Sequence, residues 1–323
     1  MPKELSHWAL AELAYQFTNN TEVKKILDEF KGEYLWGAVM YDTPFYAHNT
    51  DSGEMILKTG KSVHGIPPNN TLLPFIRLAK EYDTSPTPAL LAFICGAFSH
   101  MISDIVFHPF VLYYSGSDSR RHLKFEALLD CYFYQKKIIE NRKSVSDILR
   151  AVTSNRDDLL RWMALFFDIP FTLRAELEKT LKRHGKIQNL FSKKCACLTL
   201  SLLAYIQPDK YKDHKNLFYM DGLNCYTPFF HSGFTYRHPV TGEEFKSSIN
   251  QLTEEMIQKT NRMFQDLINK NSESNLETLI SRMIPVSLET GMDSLDDPDR
   301  PYHNVHQSIH DLIFKGKRIQ KVP

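Results

Sequence analysis

Apolar residues recur along this chain at intervals of three and four, the spacing that gathers them on one face of an α-helix. Trp8, Leu10, Leu13 and Phe17 mark a first helix over 7–17, and 21–30 is a second amphipathic stretch. Residues 32–40 continue the pattern into Tyr41-Asp42-Thr43-Pro44, where proline disfavours helix at the residue before it. From 46 to 70, Asn, Asp, Gly, Ser and Pro dominate, which predicts a long loop carrying His48 and His64. Residues 72–82 are helical. Pro86 and Pro88 precede a long apolar helix beginning near Ala89, in the position where a helix tolerates proline. Pro109 is expected to kink or end it. A loop at 115–119 leads to a helix over 120–140, then to shorter helical patterns over 144–153, 157–167, 171–184 and 188–206.

Residues 208–244 are irregular and aromatic, with Phe218, Tyr219, Tyr226, Phe229, Phe230, Phe234 and Tyr236, and end on the turn-forming His238-Pro-Val-Thr-Gly242. Two more helices are expected over 244–269 and 275–284. Strand signals are weak throughout, so the predicted class is all-α. The expected organisation is a helical domain over 1–207, with the aromatic loop and a C-terminal helical extension over 208–323 packed on it.

The 323 residues are 42% hydrophobic, enough for one large core or a core with a smaller lobe. Charge is balanced, 39 basic against 38 acidic, without the basic excess usual in proteins held to nucleic acid by electrostatics. The five cysteines are irregularly spaced and include no CxxC, which suits free thiols in a reducing compartment. The N-terminal residues have no apolar signal core. The segment from Ala89 to Tyr114 is apolar, but it carries His100, Asp104, His108 and Pro109, all costly in lipid. A buried helix with an ionic stripe is expected rather than a transmembrane segment, in a soluble, cytoplasmic protein.

The candidate chemistry lies in that stripe. His100, Asp104 and His108 fall at intervals of four, and His122 and Glu126 repeat the spacing on the next predicted helix. Residues at i and i+4 share a helix face and can meet one ion. Imidazole with carboxylate is a common zinc shell. His7, Asp42 and His64 precede these groups. Elsewhere, His303, His306 and His310 have spacing compatible with a metal face but read better as a solvated helix face, and His231 and His238 read as structural. The aromatic segment is either the wall of a lipid or choline cleft or core packed under a loop.

In order, Ser6-His7, Gly37-x-x-x-x-Asp42, His64, His100-x-x-x-Asp104, His108 and His122-x-x-x-Glu126 resemble the zinc-dependent phospholipase C family, which is related to the zinc-dependent single-strand-specific nucleases. The resemblance covers roughly the first 140 residues, with a looser similarity around 236–242. It implies a multi-helix bundle with a metal cluster between helices. Asp42, His64, His100 and Asp104 would surround one zinc, and His108, His122 and Glu126 a second. Asp104 would bridge to a third that also takes His7. Secreted members complete that third site with the amino group and carbonyl of an N-terminal tryptophan. This chain departs there: His7 is six residues from Met1, and removal of Met1 would leave Pro2. Two zinc ions are therefore expected, with the third left open. A replacement donor from His48 or a C-terminal histidine is one option for it.

The implied reaction is hydrolysis of a phosphodiester by metal-activated water, with Asp42 also able to orient or deprotonate that water. A phospholipid or a small phosphoester is the expected substrate. Nucleic acid is possible but not favoured, given the charge balance. A nuclease or nucleotidase on the same cluster, and a non-catalytic metal-binding scaffold, are the alternatives. The sequence leaves the oligomeric state open.

Overall fold

The computed structural model describes residues 3–82, 86–138, 144–191, 193–211, 217–219, 228–268, 276–295 and 299–303. The chain is all-α apart from one two-stranded hairpin among the described residues. It opens with α1 (Glu4–Gln16), α2 (Thr21–Glu29) and α3 (Lys31–Met40), followed by a single 3-10 turn at Thr43–Tyr46. Then come α4 (Asp51–Val63), α5 (Leu73–Glu81), α6 (Pro88–Ser115) and α7 (Ser119–Gln135). Four helices follow: α8 (Val145–Ala151), α9 (Arg156–Phe167), α10 (Arg174–Leu190) and α11 (Lys194–Ile206). A short α12 (Pro208–Tyr211), β1 (Phe234–Arg237), β2 (Glu244–Ser247), α13 (Ile249–Ile268) and α14 (Leu276–Ser281) complete it.

Helix α6 is the axis of the fold. By length and composition it could cross a membrane, yet its most apolar stretch is 94% buried within the protein. Helix α3 lies against it at very close range, and two glycines permit this. A Cβ on Gly37 would sit 2.2 Å from the Phe93 carbonyl oxygen, and one on Gly96 would sit 2.0 Å from that of Tyr34. Helices α1, α7 and α13 also pack on α6. Side chains from both the 1–207 and the 208–323 parts, among them Trp8, Phe107, Phe110, Met256 and Phe264, belong to one hydrophobic core.

Three local expectations need correction. The stretch 46–70 is not one long loop, because α4 occupies its middle. The Thr50 side chain accepts from the Gly53 amide at 3.1 Å as an N-cap, and Ile56 and Val63 are buried on one face. The glycines that looked like loop signals are packing sites: at Gly60 a Cβ would lie 2.5 Å from Pro44 Cβ. Pro109 does not end α6, which continues to Ser115. Phe107, Phe110, Val111 and Tyr114 are buried around it, and that packing outweighs the hydrogen bond proline removes. Residues 244–247 are the second strand of the hairpin rather than the start of a helix. Phe234 pairs with Ser247 and Arg237 with Glu244 across a turn in which Gly242 has φ of 73°.

The aromatic segment packs as core. Phe229, Phe230, Phe234 and Tyr236 surround Phe110, and Phe230 also meets Phe125. Tyr226 lies outside the described residues, as do His306 and His310.

Candidate metal centre

The α3–α6 contact places the end of α3 beside the middle of α6. There the Ala38 carbonyl accepts from His100 Nδ1 at 2.9 Å. The His100 ring is held between two others, stacked on His7 at 3.8 Å and on Tyr41 at 4.6 Å between centroids. Asp42 follows immediately after Tyr41, and α4 delivers His64 at its C-terminal end. Helix α1 is fixed in register with α7 through Asp130. One oxygen of that carboxylate accepts from the Ser6 amide at 2.8 Å and the Ser6 hydroxyl at 2.6 Å, while the other accepts from Tyr219 at 2.6 Å. Asp130 lies one turn beyond Glu126, so this clamp brings His7 alongside the face of α7 that carries Glu126.

The result is a chain of imidazoles and carboxylates in the interior. Asp104 is its centre: His100 Nε2 is 3.3 Å from Oδ2, and His7 Nε2 and His108 Nε2 are 3.5 and 3.9 Å from Oδ1. Asp42 Oδ1 lies 3.6 Å from His64 Nε2 and 4.0 Å from His100 Nε2. Glu126 Oε1 lies 3.7 Å from His108 Nε2 and 2.7 Å from His122 Nε2. Two donors each ~2.0–2.1 Å from one tetrahedral zinc would be ~3.3 Å apart. Most of these separations suit ligands facing a shared ion better than direct hydrogen bonds. Three sets of donors lie within 4.8 Å of one another: His7, Asp42 and His100; His64, His100 and Asp104; and His108, His122 and Glu126. The sequence-predicted residues are thus all brought together. His48 is not among them, being exposed, and His303 lies against Gly116.

A metal centre is also the simplest account of the hydrogen bonding. His64 Nδ1 donates to the Gly60 carbonyl at 2.7 Å, and His108 Nδ1 donates to the Leu288 carbonyl. With the Ala38 bond to His100, these fix the Nδ1–H tautomer and turn each Nε2 lone pair inward. Yet Nε2 of His64, His100 and His108, both His7 nitrogens, Asp42 Oδ1 and both Asp104 oxygens have no hydrogen-bond partner. Leaving one buried polar atom unsatisfied costs about 1–3 kcal/mol, so this many lone-pair donors in one place, with one nitrogen of His7 among them, call for an electrophilic occupant. The donor set of neutral imidazole and carboxylate is one that zinc takes.

Electrostatics keeps His7, His108 and Asp104 in their binding forms and works the other way at His100. Burial pushes the His7 imidazole well below its ordinary pKa, and His108 down to about 3, so both stay neutral. At His100 burial also pushes down, but the Asp104 and Asp42 carboxylates outweigh it and the pKa is raised. Burial would raise Asp104, but His108, His100 and His7 hold it well below the carboxylate range.

The centre opens on a cleft of about 460 Å³. Asp42, His64, His108, His122 and Glu126 line it, together with Phe45, Tyr46, Ile66, Leu123 and Leu217 and the charged Lys3, Glu4, Lys61 and Glu289. Sequence reasoning missed the three carbonyls that orient the histidines and the cleft residues from 217 and 289. A backbone carbonyl carries no residue-type signal, and Leu288 is 180 residues from the histidine it orients.

A further buried histidine, His184, stands near the centre. His184 Nε2 is 3.1 Å from Glu4 Oε1, and its Nδ1 is 3.1 Å from Thr43 Oγ1. The same Glu4 oxygen accepts from Tyr46, whose ring stacks on His184 at 4.2 Å.

Comparison with known proteins agrees with this geometry. A family model described as zinc dependent phospholipase C matches residues 1–176, a stretch that contains every donor of the centre. No curated protein and no solved structure matches the chain. With more than half its length matched, the chain belongs to the zinc-dependent phospholipase C family.

Proposed function

We propose that the protein hydrolyses the phosphodiester of phospholipids, releasing a diacylglycerol and a phosphorylated headgroup. The observation that carries this reading is the set of inward-facing imidazole and carboxylate atoms left without hydrogen-bond partners at the base of the cleft. Asp42, His64, His100 and Asp104 would hold one zinc, and His108, His122 and Glu126 a second, with His7 and Asp104 placed to take a third. Zinc in these positions would supply Lewis-acid stabilisation of phosphoryl oxygens and water acidic enough to react at neutral pH.

The chain's own residues supply the rest. Asp42 is buried and faces the cleft, so the carboxylate oxygen not turned toward His64 and His100 is placed to take a proton from the attacking water. Water attacks phosphorus opposite the glycerol oxygen, the bond from phosphorus to that oxygen breaks, and the glycerol oxygen is protonated. Phe45, Ile66, Leu123 and Leu217 give the acyl-glycerol end of the substrate an apolar wall. That wall and the balanced net charge favour a lipid over a nucleic acid.

The test is an assay of the zinc-loaded protein against phosphatidylcholine, single-stranded DNA and a generic soluble phosphodiester. Release of diacylglycerol and phosphocholine is expected. Cleavage of DNA with the lipid untouched would transfer the site to the nuclease reading, and no turnover of any of the three would leave a metal-binding scaffold.

A further inference from the structure

Helix α11 lies outside the residues matched by the family model and is the least protected apolar element of the described structure. Leu198, Leu202, Tyr205 and Ile206, at intervals of four, three and one, are 72, 61, 87 and 62% exposed. No residue of α11 joins the hydrophobic core. Its hydroxyls are turned back on the helix: Thr199 donates to the Cys195 carbonyl at 3.0 Å and Ser201 to that of Cys197 at 2.8 Å. The helix therefore shows its surroundings apolar side chains and few polar groups seeking partners. A row of large apolar side chains held in water is a binding surface in search of an occupant.

The ends of this element lead back to the cleft. Residue 191 precedes α11, and residues 217–219 follow α12. There the Tyr219 amide donates to the Phe191 carbonyl at 3.0 Å. Lys3 closes the junction, with its Nζ 3.6 Å above the Phe191 ring and donating to the Leu217 carbonyl. Lys3 and Leu217 both line the cleft. The apolar helix is thus rooted at the cleft rim.

Charge indicates the occupant. No acidic residue occurs from 189 to 208, Lys193 and Lys194 precede the apolar run, and Lys210, Lys212 and Lys215 follow it with Asp209 and Asp213 among them, so the flanks carry five basic residues against two acidic. Basic residues flanking an apolar face complement an anionic lipid surface. A 13-residue helix is about 20 Å long, too short to span the ~30 Å hydrocarbon core, so it would lie in the plane of the interface.

We infer that α11 is an interfacial anchor, which embeds Leu198, Leu202, Tyr205 and Ile206 in an anionic phospholipid surface and sets the cleft mouth against it. The inference rests on the proposed lipid hydrolysis for its purpose, though not for its test. The experiment is cosedimentation of the full-length protein with vesicles of phosphatidylcholine containing phosphatidylglycerol, for the wild type and for the double substitution Leu198→Asp with Leu202→Asp. Zinc content and circular dichroism verify the fold, and sedimentation velocity gives the oligomeric state.

The wild type is expected to bind, less tightly to pure phosphatidylcholine vesicles. The double variant should bind about 100-fold more weakly, with unchanged zinc content. Equal binding by both proteins, or no binding by the wild type, overturns the inference. So does a wild-type dimer that the substitutions split, since a second copy would then cover the face. Anchoring through α11 with phospholipid left uncut would sustain the surface and refute the proposed reaction. Hydrolysis of dispersed short-chain phospholipid with no α11-dependent vesicle binding would do the reverse.

Discussion

Two groups of buried histidines and carboxylates lie close together in this protein and have opposite characters. Around His184 both ring nitrogens have partners, in Glu4 and Thr43, and the one atom left unmet is the second Glu4 oxygen. Around Asp104, His64, His100 and His108 are satisfied only at the back, through Nδ1, and His7 at neither nitrogen, while their Nε2 atoms face one another and the carboxylates without hydrogen bonds. Residue type does not separate the two groups, and neither does burial. The difference is where the lone pairs go. A group that satisfies its histidine internally is structural, while one that leaves its inner atoms unmet is built around something else.

The sharpest way to break this contrast is at Asp104, which stands within 4 Å of His7, His100 and His108. Asp104→Ala is expected to abolish zinc retention and reduce hydrolysis by about 1000-fold or more, since the shared carboxylate contributes to the whole centre. Zinc analysis together with the assay reads both effects.

His184→Ala should do the opposite. It removes the His184 hydrogen bond from a buried Glu4 carboxylate that keeps Tyr46, so unfolding in urea should show a loss of about 1–3 kcal/mol while the zinc content of the folded protein stays unchanged.

The pH dependence sharpens the same distinction. Burial would raise the Glu4 carboxyl, but His184, Lys3 and Tyr46 hold it at about 2. A depressed folded-state pKa adds stability above the ordinary carboxylate pKa of 4.5, and this is lost as pH falls from there through about 2. The contribution is about 3 kcal/mol at neutral pH. Acid unfolding of the wild type should carry this slope, and His184→Gln should flatten it.

The smallest effect is expected behind His108, where the 284–295 segment provides the Leu288 carbonyl. Gly291 in that segment has φ of 69°, and a Cβ there would approach the Ile105 carbonyl at 3.4 Å. Gly291→Val should shift the segment and weaken zinc at the His108, His122 and Glu126 group about 10–100-fold, with the site around Asp42 retained. A calorimetric titration with zinc would resolve the two.

The centre was legible because its donors are side chains at helical spacing. His100, Asp104 and His108 declare one face of α6, and His122 and Glu126 one face of α7. The helical class followed from the same periodicity. Other features were hidden for physical reasons. The glycines of α4 resemble loop residues until their packing is seen, and Pro109 resembles a helix end until the burial around it is known. The roles of Ala38, Gly60 and Leu288 are played by carbonyls, which every residue has. The exposure of α11 is hidden too, since a periodic apolar face reads as buried in any sequence.

The central claim is that the unpartnered atoms around Asp104 face metal, and the most direct test is the zinc content of the purified protein by elemental analysis, beside His100→Ala and His184→Ala. At least two zinc ions per chain are predicted in the wild type and in His184→Ala, with fewer in His100→Ala. A wild-type chain that carries no zinc and takes none up from zinc-containing buffer would contradict the account.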